Sequence, residues 1–283
     1  MTTPHIARER WRGLDCTRIT LPCGDSALVS DFGAQVLSWV VQGQERLFVS
    51  AHAHTDGVQP IRGGIPVCFP QFNQRGPLPK HGLARTALWK WHESALPADV
   101  TAQWHWCNDS STLQQWPFAF AATLNVKMAP GQLQVELQVQ NTDDQPWAFT
   151  AALHTYFGTQ DASQCSLAGL DGMAYWDAAH GFAPCVQTGA VQFGAEVDRV
   201  YGAPASALQL QGALPGSVHI ANDSAWPETV VWNPGPQLCA TLADMDKDGW
   251  RSMVCVEAAS INQPVVLQPS ASWRGAQTLR VTT

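Results

Sequence analysis

The chain has 283 residues, a formal net charge of −7, 45% hydrophobic and 14% charged residues, a composition that excludes a disordered chain and can fill a large core, to which thirteen tryptophans add broad contact surface. An acidic pI near 5.6 with no Lys/Arg run excludes nucleic acid and anionic membrane as main partners. No segment approaches the roughly twenty apolar residues of a membrane span.

The first residues are partly basic but have no apolar run behind them, which is not the layout of a signal peptide. Eight cysteines lie scattered without a C-x-x-C pair and read as reduced, mostly buried packing residues of a cytoplasmic protein. Strand-like runs follow at residues 17–21, 27–30, 35–41 and 47–49, with turn signals at 24–25, 31–33 and 42–45, which predicts a meander. Residues 61–85 break this pattern: Arg62, Arg75, Lys80 and Arg85 stand with His81, four prolines and a Gly63-Gly64 pair in an otherwise acidic chain. Arginine offers a planar fork to carboxylate or phosphate oxygens, and glycine lets backbone N–H groups turn toward an anion. The stretch is therefore expected to be an anion-gripping loop.

Strands are predicted again at 86–93 and 101–107, the second with Trp104 and Trp106 on one face. The clearest alternation spans 118–139, where Leu133, Val135, Leu137 and Val139 share one side and Gln and Glu the other. That is a hairpin with one wet face. After a polar turn at 141–144 comes a strand-like segment at 147–157, then loops and edge strands over 158–216. Strands return at 217–220, 229–232, 252–256, 265–268 and 277–281, and no long amphipathic helix or composition break appears. Many short strands without intervening helices predict an all-β fold, a large antiparallel sandwich or barrel forming one domain over 1–283.

His154 lies in the apolar segment 151–157, where an extended chain puts it on one face with Ala152 and Tyr156. Alone it reads as a core histidine satisfied by backbone, or as a group able to exchange protons near neutrality. Glu257 ends an apolar run, either at the wet rim of a sheet or in a partly dry cleft where desolvation raises its pKa toward that of a useful base. Asp198, beside Arg199, has the same two readings, a solvated ion pair being the simpler. His52 and His54 form an H-x-H pair without supporting ligands nearby, and no zinc, P-loop, dinucleotide or G-x-S-x-G signature is present.

Six stretches gain meaning together: Arg62-Gly63-Gly64-Ile65-Pro66-Val67-Cys68-Phe69-Pro70, Leu78-Pro79-Lys80-His81-Gly82-Leu83-Ala84-Arg85, Leu153-His154-Thr155-Tyr156-Phe157, Asp198-Arg199-Val200-Tyr201, Val231-Trp232-Asn233-Pro234 and Val254-Cys255-Val256-Glu257-Ala258. In this order, over about two hundred residues, they resemble the D-hexose-6-phosphate mutarotase (glucose-6-phosphate 1-epimerase) branch of the aldose 1-epimerase superfamily. The resemblance implies a galactose-mutarotase-like β-supersandwich and a monomeric enzyme. It also implies interconversion of the α and β anomers of a hexose 6-phosphate, with no metal and no cofactor. It assigns the catalytic histidine to His154 and the catalytic carboxylate to Glu257. Arg62 and Arg85 become substrate-binding cations and Asp198 a hydroxyl-binding carboxylate, with His81 as a further cleft residue.

Anomerisation requires loss of the C1 hydroxyl proton and protonation of the ring oxygen, so a base (Glu257) and an acid (His154) on opposite sides of the sugar suffice. Phosphate accounts for the cationic loop, with Arg62, Arg85 and Lys80 anchoring the remote end. The chain departs from the family pattern at Lys80, where an uncharged Gln is common, and at Gly235, where a bulky residue is expected. Competing expectations are an epimerase of unphosphorylated aldoses, a non-catalytic sugar-phosphate binder, and, with less support, a glycoside hydrolase or lyase, which would use two carboxylates.

Overall fold

A computed structural model describes residues 4–92 and 102–282, and its strands form three antiparallel sheets. The ends of two predicted strands, Glu93 and Thr101, lie outside the described residues. The first sheet is a meander of His5–Trp11, Leu14–Thr20, Ser26–Ser30, Val36–Val41 and Gln44–Glu45. Its first strand is absent from the sequence expectation because its side chains are mostly exposed or half-buried, leaving little hydrophobic alternation to read. Pairing with Leu14–Thr20 and the ion pair of Arg8 with Asp31 hold it instead.

The second sheet has nine strands, centred on the hairpin Phe120–Ala129 and Gln132–Asn141 with Ser272–Thr282 alongside. Leu133, Val135, Leu137 and Val139 are buried as the alternation predicts, each worth roughly 1.5–3 kcal/mol on burial. Trp104 and Trp106 pack into the same core. The third sheet runs Ala183–Val186, Ala174–Asp177, Val197–Gly202, Glu228–Asn233, Met253–Leu267, Trp147–Leu153, Val67–Cys68, and Tyr156–Gly158 pairs with Met253–Leu267 outside this path.

Several boundaries differ from expectation for physical reasons. Residues 47–49 make only single bridges, Leu47 to Phe157 and Val49 to Gly63. Of 86–93 only Lys90–His92 is strand; Ala84–Thr86 is a short 3-10 turn. The runs at 252–256 and 265–268 are the two ends of one 15-residue strand, Met253–Leu267. A helix, Ser110–Gln115, is started by a capping box between Asp109 and Thr112. Among the described residues no helix is long and apolar enough to cross a membrane. Five of the eight cysteines are buried and all are free, but Cys23 and Cys107 are exposed.

The third sheet has two working faces, and strand parity assigns residues to them. Val256 and Ala258 join the main core together with Leu153 and Val231. The intervening residues face the other way, where Ala152, Val230 and Ala259 form a separate apolar patch. The candidate site lies on this second face.

Candidate active site

Register explains how two residues more than a hundred positions apart meet. Trp147–Leu153 pairs with Met253–Leu267 so that Ala152 faces Ala259, and Tyr156–Gly158 pairs with the same strand so that Tyr156 faces Cys255. The register is continuous across the gap, which puts His154 opposite Glu257. His154 itself leaves the strand and donates its backbone N–H to the carbonyl of Pro66, while Tyr156 donates to that of Gly64. The Arg62 to Pro66 stretch is thereby laced to the His154 segment.

The result is a cleft of about 320 Å³ that gathers every site residue named from the sequence: Arg62, Lys80, His81, Arg85, His154, Asp198 and Glu257. His154 Nδ1 lies 3.3 Å from Glu257 Oε1 on the cleft floor. The two stand side by side on one face of the sheet, which corrects the expectation of groups on opposite sides of a sugar. The contact is not aligned as a hydrogen bond, and neither His154 Nδ1 nor Glu257 Oε2 has a hydrogen-bond partner among the described residues. Burial pushes the Glu257 carboxyl well above the usual carboxylate range, helped by Asp198. Burial, followed by Arg62 and Arg85, holds the His154 imidazole well below its ordinary value. The ring of Tyr156 stacks on His154 at 4.8 Å and 11°.

The mouth is built differently. Arg62 forks onto Asp244, with Nε to Oδ2 at 3.0 Å and Nη2 to Oδ1 at 3.1 Å, and also donates to the Tyr156 hydroxyl at 3.2 Å. Arg85 donates to the Lys80 carbonyl, and its Nε is buried without a partner among the described residues. Lys80 is exposed as a residue, yet desolvation of its ammonium, then repulsion from Arg62 and Arg85, lowers its pKa. His81 is buried; its Nδ1 accepts from the Asn73 N–H at 3.2 Å, so the neutral ring carries its proton on Nε2. Burial, with His154 next, keeps His81 far below the usual histidine range. Asp198, opposite Trp232 across the sheet, is raised to about 6 by burial and by Glu196.

Two expectations about glycine positions are corrected. The Gly64 N–H does not face an anion but donates to the Phe48 carbonyl at 2.6 Å. Glycine is required there for another reason: its φ is +64°, and a Cβ would lie 2.2 Å from the Val36 carbonyl oxygen. Gly235 likewise has φ +59° and would drive a Cβ to 2.4 Å from the Glu196 nitrogen, so no bulky side chain fits, and Leu238 and Leu242 line that wall. Arg75 is exposed and lies outside the cleft, bonding Asn262 Oδ1 at 2.6 Å and lying over the Phe182 ring.

Tyr156, Asp244 and Trp232 line the cleft but were not singled out as site residues from the sequence. Tyr156 was legible as sharing a face with His154. Asp244 had no signal, since its partner Arg62 is 182 residues away. The H-x-H pair does not converge: His52 bonds Asp246 at 2.8 Å, while His54 lines the cleft. Among the described residues, donor atoms of His154, Cys255 and Glu257 come within 4.8 Å of one another. Burial pushes the Cys255 thiol well above its ordinary value, and Arg62 and Arg85 add positive charge around the same floor.

Antiparallel sheets of this order, with a cleft on one sheet face, place the chain in the galactose-mutarotase-like fold class. Residues 15–280 match the aldose 1-epimerase family, and the chain belongs to that family of sugar epimerases. It is 33% identical over 86% of its length to a provisionally named glucose-6-phosphate 1-epimerase of Cenchrus ciliaris, covering 78% of that protein. It is 30% identical over 99% of its length to one of Escherichia coli K12, covering 94% of it. A crystal structure of a provisionally named mutarotase from Salmonella typhimurium superposes with a TM-score of 0.88 at 27% identity, over 98% of this chain and 94% of that one.

Proposed function

We propose that the protein interconverts the α and β anomers of a hexose 6-phosphate, as a glucose-6-phosphate 1-epimerase, with Glu257 as base and His154 as acid. The observation that carries this reading is the His154–Glu257 contact on the floor of a cleft whose mouth holds Arg62, Lys80 and Arg85. Glu257 takes the C1 hydroxyl proton while His154 protonates the ring oxygen. The ring opens, rotation about C1–C2 presents the other face of the aldehyde, and closure reverses both transfers. Both oxygens are bonded to C1, so an acid and a base 3.3 Å apart serve them from one floor. Each transfer is worth roughly 10²–10⁴ in rate. The cations anchor the phosphate and orient C1, and Asp198 accepts from a sugar hydroxyl.

One observation favours a second reading. Arg62 is already neutralised by Asp244, which suits a neutral sugar better than a vacant anion clamp does. That reading is an epimerase for unphosphorylated aldoses. Following anomerisation of freshly dissolved α-glucose 6-phosphate and α-glucose by polarimetry or a coupled assay separates the two. The proposal expects much higher kcat/KM for the phosphorylated sugar; equal values support the second reading, and rates no faster than buffer with both sugars leave only a binding protein.

A further inference from the structure

The cleft carries a charge balance that the acid–base roles do not explain. Arg62, Lys80 and Arg85 face Asp198, Asp244 and Glu257 across one small space. With Glu257 protonated and the other five ionised, the set carries a net charge of +1. Yet the reaction needs a carboxylate at Glu257 and an imidazolium at His154 together. Around His154 stand Glu257 and Cys255 from Met253–Leu267 and Tyr156 from its own segment. His81, Lys80, Arg85 and Arg62 approach from the loop, with Cys68 behind His81. Asp198 and Asp244 line the same cleft.

Resting on the hexose-phosphate reading, we propose that the substrate's phosphate dianion belongs to the catalytic machinery: seated among Arg62, Lys80 and Arg85, it draws a proton from Glu257 to His154. The acid and base then coexist only in the complex with a phosphorylated sugar. The O–H bond of the Glu257 carboxyl breaks and an N–H bond forms at His154 Nδ1, across the existing 3.3 Å contact, with no proton gained or lost by the pair. The imidazolium presents its other N–H to the ring oxygen, and the freed carboxylate receives the anomeric proton.

Burial accounts for the uncharged pair in the free cleft, because a dry site penalises both ions. The direction of transfer follows from which cations act on which group. Arg62 stands on the His154 side of the pair, donating to the hydroxyl of Tyr156, whose ring stacks on the imidazole; Arg62, Arg85 and Lys80 all disfavour the imidazolium, whereas the Glu257 carboxyl answers to Asp198 and Lys80. A dianion on the two arginines therefore favours the imidazolium more than it opposes the carboxylate. Asp244 cannot substitute for it: one carboxylate is already spent on Arg62, and Arg85 keeps an unpartnered Nε.

The test uses the full chain with labelled histidine, the His154 signal being assigned by its loss in His154→Gln. 1,5-Anhydroglucitol 6-phosphate, which has no anomeric hydroxyl and cannot turn over, should raise the His154 pKa by about 1 to 3, and 1,5-anhydroglucitol should leave it unmoved. In a second arm, phosphite dianion added to free glucose should raise the anomerisation rate about tenfold or more in the wild type, and far less in Arg85→Ala. A neutral His154 in both complexes, or no phosphite activation, in an enzyme that turns over glucose 6-phosphate overturns the inference and leaves the function standing. No turnover of glucose 6-phosphate overturns both.

Discussion

The floor and the mouth of the cleft are made by different means. His154, Glu257, Asp198 and Trp232 are placed by strand register, so their spacing follows from a hydrogen-bonded lattice anchored in the main core. Arg62, Lys80 and Arg85 sit on a loop, and their positions depend on partners such as Asp244 and the Lys80 carbonyl. A lattice fixes a reacting pair to fractions of an ångström, as proton transfer demands, whereas a loop tolerates the repacking that anion binding brings. Substitutions on the floor should therefore alter the chemical step, and those at the mouth should alter the choice of substrate.

The largest effect is expected for Glu257→Gln, which keeps the shape and removes the proposed base: kcat on hexose 6-phosphate should fall roughly 10²–10⁴-fold. Normal turnover would remove Glu257 from the floor's chemistry. Leu153→Ala tests the support beneath the floor. Its side chain is fully buried in the main core, so unfolding by denaturant should show a loss of about 2–5 kcal/mol, with kcat per folded molecule much less affected. At the mouth, Arg85→Ala should raise KM for hexose 6-phosphate about tenfold or more while sparing free hexose. Equal losses on both sugars would erase the proposed division of labour.

The smallest effect is a pH-dependent one at Asp198. Its pKa is raised from 3.8 to about 6, so between those values the folded chain holds a proton that the unfolded chain has released. Wild-type stability should therefore fall as pH rises through this window. Asp198→Asn should match the wild type near pH 4 and exceed it above pH 6, on the order of 1 kcal/mol allowing for partial exposure, at the expense of sugar binding. Thermal melts across this range decide it; an advantage that grows toward low pH would refute the assignment.

How much was legible varies with the physics of each segment. The hairpin over 118–139 was clear because one wet face makes alternation visible. The strand His5–Trp11 was not, since an edge held by backbone pairing and surface ion pairs carries no such pattern. Around the site, the segment carrying His154 and Tyr156 could be placed on a strand, but its break at His154 falls where the neighbouring strand presents Pro66, which accepts from the His154 N–H and has no N–H to return.

By itself the sequence determined the all-β architecture and, through six short stretches, the residues that belong to one site. Local alternation suffices for the architecture, whereas the site residues came from the resemblance of those stretches to a known family. Tertiary structure alone decided that His154 and Glu257 stand side by side, that Asp244 occupies Arg62, and that Gly64 and Gly235 answer to close backbone contact. Those facts depend on register and packing between segments up to 182 residues apart, and distances of that kind are set by the core that the whole chain builds.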